Sequence, residues 1–99
     1  MIEIGPGTGA LVVYTSAALE GEEIEIRPHD GTWAGLHTGV RARHVGPRVL
    51  HAGVFGSLPA GLYDLRLRGG SQEEAAVRTV AVSSGGVVET SLSPGDERS

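Results

Sequence analysis

Residues 54 to 67 read Val54-Phe55-Gly56-Ser57-Leu58-Pro59-Ala60-Gly61-Leu62-Tyr63-Asp64-Leu65-Arg66-Leu67, and their order decides the fold. Pro59 fixes its own φ at about −65° and keeps Leu58 out of helical geometry, while Gly61 admits backbone conformations that a Cβ would resist. Beyond that corner Tyr63, Leu65 and Leu67 fall on one face and Asp64, Arg66 and Arg68 on the other, the two-residue period of a half-buried strand. One strand ends, the chain turns, and a second strand starts.

Upstream, residues 37 to 45 and 48 to 56 read as two strands joined at Gly46-Pro47. With a loop of those two residues Val45 faces Arg48 and Arg41 faces Ala52. One face then carries Thr38, Val40, Ala42, His44, Val49, His51, Gly53 and Phe55, and the other His37, Arg41, Arg43, Arg48, Leu50 and Val54. Gly53 is a place for a bulge. Residues 22 to 27 alternate, with Ile24 and Ile26 inward and Glu23, Glu25 and Arg27 in water. Residues 16 to 21 carry the marks of one helical turn, with Leu19 plugging an end of the core. Residues 10 to 15 form a nearly continuous apolar strand.

Downstream, residues 69 to 74 read as a turn and 75 to 82 as a strand with Val80 and Val82 inward and Arg78 outward. Ser83-Ser84-Gly85-Gly86 has the composition of a hairpin turn returning through residues 87 to 92. The chain is therefore expected to be all-β, a single antiparallel seven-stranded sandwich over residues 1–92, with a disordered tail over 93–99. Its expected core is Leu11, Val13, Ile24, Ile26, Val40, Phe55, Leu58, Tyr63, Leu65, Leu67, Val80, Val82 and Val88.

An aromatic, two residues, Leu58-Pro59-x-Gly61, then x-Tyr63-x-Leu65 resembles the segment shared by carboxypeptidase regulatory-like domains, adhesin repeats and other transthyretin-like (prealbumin-like) sandwiches. The resemblance covers Phe55 to Leu67 and implies the sandwich fold and no particular activity. One transthyretin-like group hydrolyses 5-hydroxyisourate and ends in Tyr-Arg-Gly-Ser. Here Arg68-Gly69-Gly70-Ser71 lies mid-chain without the tyrosine. The adhesin repeats crosslink Lys to Asn, and this chain has neither.

Composition narrows the function classes. The 99 residues carry a formal charge of −4, with all eight basic residues arginine, which gives no basic field for a phosphate backbone and argues against nucleic acid. Cysteine is absent, so disulfides, thiolate nucleophiles and Cys-ligated metals are excluded. No apolar run reaches the length of a membrane helix, and the chain start lacks a secretory pattern, which together predict a cytoplasmic protein without membrane attachment. Gly5-x-Gly7-x-x-Ala10 mimics a dinucleotide loop, but an extended apolar strand follows it where a helix N-terminus is needed. No cofactor is expected, and no nucleophile elbow, zinc-protease motif or phosphate loop is present.

The expected role is a noncatalytic binding or assembly module, acting through a protein partner, self-association or a small ligand. Trp33, in a glycine-flanked loop, reads either as a lid over the sandwich end or as a recognition platform. Arg41, Arg43, Arg66 and Arg68 read as partners of Glu23 and Glu25 across a sheet, or as an anion or partner surface. The alternative is a small hydrolase or metal-binding protein built on His44 and His51, diagonal neighbours that need a third ligand from His29, His37, Asp30 or Asp64.

Overall fold

The computed structural model describes residues 7–68 and 77–92; the 69–74 turn and the 93–99 tail lie outside the described residues. Eight strands are described: β1 (Thr8–Thr15), β2 (Glu23–Pro28), β3 (His37–Gly39), β4 (Arg41–Val45), β5 (Arg48–Pro59), β6 (Gly61–Arg68), β7 (Arg78–Val82) and β8 (Val87–Ser91). A 3₁₀ turn, Ala17–Leu19, follows β1. The strands form two four-stranded sheets, ordered β4-β5-β1-β8 and β3-β2-β6-β7, and the fold is all-β.

The corner does what its residues dictate. β5 belongs to the first sheet and β6 to the second, with Ala60 the residue between them. The Tyr63 hydroxyl donates to the Pro59 carbonyl at 2.5 Å, tying the outgoing strand to the incoming one. Phe55 and Leu58 both reach the core although three residues apart. This is possible because the β1–β5 register shifts between Gly9 and Leu11, leaving Gly56 and Ser57 opposite Ala10. That bulge returns Leu58 to the inner face. It lies here and not at Gly53, which instead faces the opposite sheet so closely that a Cβ would come within 2.8 Å of Thr38 Cγ2.

Every residue of the expected core lies in the inner cluster or against it: Leu67, Val80 and Val88 are partly buried, the others buried, and Leu92 and Leu19 join them. The Gly46-Pro47 hairpin pairs Val45 with Arg48 and Arg41 with Ala52, as its two-residue loop requires. Gly46 has φ +61°, and because proline excludes positive φ at the next position the turn is of type II′.

Three expectations are corrected. The strand expected over residues 37 to 45 is two strands, because the chain changes sheets at Val40, whose N–H donates to the Glu22 carbonyl and whose carbonyl accepts from Gly21; this makes eight strands among the described residues where seven were expected. The Ser83 to Gly86 segment is not a hairpin. The start of β1 captures it through Gly85 N–H to Thr8 O at 2.7 Å and Ala10 N–H to Gly86 O at 2.9 Å, so β8 enters the other sheet and pairs with β1 in parallel. Arg78, expected outward, lies on the inward register opposite Leu65 yet remains exposed at the sheet edge, where its Nε donates to Thr90 Oγ1 of the other sheet at 2.8 Å.

Candidate functional site

The outer faces of the two sheets differ in kind. On the second sheet, β2 and β6 align Glu23 with Arg68, Glu25 with Arg66 and Arg27 with Asp64, opposite charge against opposite charge at each outward position. Glu25 and Asp64, expected in water, are 5% and 2% exposed. The loop after β2 folds back over them. His29 N–H donates to the Leu62 carbonyl at 2.9 Å, Asp30 adopts φ +63°, and Arg27 Nη1 donates to Gly31 O at 3.0 Å.

Asp64 is the centre of this arrangement. Its Oδ1 accepts from His29 Nδ1 at 2.8 Å and from Thr79 Oγ1 at 2.9 Å. Its Oδ2 accepts from Arg27 Nε at 2.8 Å and from the Asp30 backbone N–H at 3.2 Å. The bond from His29 holds the Asp64 carboxyl well below the usual carboxylate range; Arg27, the Asp30 N–H and Thr79 add to this, and burial opposes it. The same Asp64 bond raises the His29 pKa, with burial opposing.

Trp33 lies over this layer, its ring centre 4.0 Å from the Arg66 guanidinium carbon and 4.5 Å from that of Arg27. Arg66 in turn donates to Glu25 Oε1 through Nη2 at 2.8 Å and Nε at 3.0 Å. The ring is therefore neither a plug for the core nor a bare platform. It roofs two ion pairs whose carboxylates are buried and whose guanidinium groups remain partly exposed on the outside of a sheet, where partial exclusion of water strengthens them.

His29, Asp30 and Asp64 set three ligand-type atoms within 4.8 Å of one another. Both Asp64 oxygens already accept two hydrogen bonds each, one from a guanidinium, so a cation there would have to displace Arg27 or His29. The donor set suits a loop clamp and not a metal. His44 and His51 are the diagonal neighbours expected, His44 opposite Val49 and His51 opposite Ala42. His51 Nε2 lies 3.2 Å from Glu20 Oε1, and the close-set trio among the described residues is the other one.

The first sheet presents a different outer face. Val12 pairs with Val54 and Tyr14 with Ala52, Leu50 with Arg43 and Arg48 with Val45, all on the outward register, although Ala52 is itself buried. Val12, Leu50 and Val54 are half-buried, Val45 and Val87 exposed. Arg41, Arg43 and Arg48 flank this apolar centre and form no ion pair among the described residues. The structure thus separates the candidate arginines: Arg66 joins Trp33, Arg41 and Arg43 lie on the other sheet, and the Arg68 side chain is outside the described residues. Arg27 and Thr79, not singled out from the sequence as a site, complete the Trp33 layer with His29 and Asp64, which the sequence offered only as third ligands for the His44/His51 pair. A shallow cleft of about 530 Å³, lined by Glu20, Gly21, Glu23, Val40, Arg41 and Ala42, opens beside β4 where the chain changes sheets.

No family model matches this chain, and no curated protein matches it. Among solved structures, a leucine-rich repeat protein from Bacteroides thetaiotaomicron is similar over 89% of this chain, with a TM-score of 0.52 and 21% identity. This chain spans 12% of that protein's length, and the likeness is one of fold. No helix among the described residues is long and apolar enough to cross a membrane.

Proposed function

We propose that this chain is a noncatalytic binding module of transthyretin-like type that docks a protein partner on the outer face of the β4-β5-β1-β8 sheet, in the cytoplasm. The Leu58-Pro59-x-Gly61-x-Tyr63 corner, closed by the tyrosine hydroxyl, supports the relationship. The observation that carries the function is the contrast between the two outer faces. One is roofed by the chain's own loop, with Asp64 and Glu25 paired. The other is apolar at its centre, with arginines without ion pairs among the described residues on its β4 side and Glu89, accepting from the Tyr14 hydroxyl, on its β8 side, the composition of a recognition surface.

A photo-crosslinking amino acid placed at Leu50 tests this in the cells that make the protein, with Leu62, 53% exposed on the opposite outer face, as the control. A discrete protein adduct from position 50 and none from position 62 is expected. Adducts from position 62 alone, or from neither, would overturn the reading.

A further inference from the structure

β4 is the outermost strand of its sheet, paired with β5 on one side. No backbone bond beyond that pairing is made by residues 41 to 45 among the described residues. In a two-residue hairpin the residues flanking the turn, here Val45 and Arg48, exchange both backbone bonds. By alternation Arg43 and Arg41 bond inward to β5, and the N–H and C=O groups of Ala42 and His44 point to the open side. Such an edge is a template for another strand. Its outward side chains are Arg41 and Arg43, with Arg48 beside them on β5. On its inward side the cleft reaches Ala42 and Val40.

We propose that β4 accepts an extended acidic segment of a protein partner as a fifth strand, with carboxylates at alternate positions beside Arg41 and Arg43 and one inward side chain entering the cleft. This rests on the binding reading above and names the partner's chemistry. A second copy of this chain fits the edge poorly. Two β4 strands related by a twofold axis pair Arg43 with Arg43 when centred there, and Arg41 with Arg43 when centred on Ala42, while centring on His44 runs Ala42 and Arg41 against the Gly46-Pro47 turn, where no ladder can continue. Either of the first two places like charges directly opposite, which is destabilising. Glu20 and Glu23 line the cleft, which favours a hydroxyl-bearing side chain on the partner's inward face.

The test uses the full chain and three short capped peptides: Glu alternating with Thr, the same composition with the Glu residues grouped at one end, and Lys alternating with Thr. Backbone amide exchange followed by NMR is the readout. The alternating Glu peptide should slow exchange at Ala42 and His44, bind about tenfold tighter than the other two, and weaken with added salt. The Arg41→Glu/Arg43→Glu double variant should reverse the preference toward the Lys peptide. Equal binding of all three peptides, unchanged exchange at both amides at millimolar peptide, or a preference unaltered by the double variant would each overturn the proposal, as would a β4-paired dimer of the chain itself. If position 50 still crosslinks to a protein while the peptides fail, the acidic strand falls and the binding reading stands; if both fail, both fall.

Discussion

Asp64 holds its environment by supplying four acceptor positions to four donors from three elements. An amide there cannot accept from all of them and leaves the half-buried Arg27 beside an uncharged neighbour. Asp64→Asn is expected to cost about 3 kcal/mol in urea unfolding and to move the His29 titration back toward its ordinary value by NMR. Trp33 is the one tryptophan in the chain, so release of the loop should also appear as a red-shifted emission maximum. The paired shifts set a pH window. Asp64 has a lowered folded pKa, so its contribution is present above its unfolded value of about 3.9 and fades as pH falls through the lower folded one. His29 has a raised folded pKa, so its contribution is full below about 6.5 and fades as pH rises through the higher folded one. Stability is expected to be greatest between about pH 4 and 6.5, and in Asp64→Asn both arms should flatten. A native-like pH profile for that variant would show that the clamp does not act as described.

At the scale of elements, the β5–β6 corner and the β5 bulge give the sandwich its second layer. Tyr63→Phe removes the bond to the Pro59 carbonyl and should lower stability by about 1 kcal/mol while leaving the fold intact. Phe55→Ala opens a void where both sheets meet and should cost about 3 to 5 kcal/mol. Both values are read from urea midpoints at constant m. The alternation after Pro59 made the corner legible, and the Gly46-Pro47 loop made the β4–β5 register legible, because in each case the information is local. The alternating charges of β2 and β6 were also on view in the sequence, minus, minus, plus against plus, plus, minus when one strand is reversed. Their burial was not, since it comes from the residues 29 to 36 folding back, and nothing in that loop's composition states which face it covers. The sheet assignment of β8 was hidden for a related reason: Ser83 to Gly86 suits a hairpin, and contacts with distant Thr8 and Ala10 decide against it.

For the whole molecule, the decisive asymmetry is between an outer face closed by charge and indole and an outer face left apolar with an open arginine edge. Sequence alone grouped Arg41 and Arg43 with Arg66 because all three lie on outward positions; the topology divides them, since β4 and β6 belong to different sheets. That division turns one diffuse arginine surface into a structural roof and the edge proposed to dock a partner. It also predicts that Trp33→Ala weakens the fold by about 2 kcal/mol without altering partner capture from position 50, whereas Val45→Asp, at an exposed position of the same outer face, should weaken that capture with stability nearly unchanged. Hydrogen–deuterium exchange of the protein with and without its crosslinked partner tests the central claim most directly. The account predicts slowed exchange across residues 41 to 54, strongest at Ala42 and His44, with residues 29 to 36 unchanged. Slowing confined to residues 29 to 36 and Trp33 would contradict it.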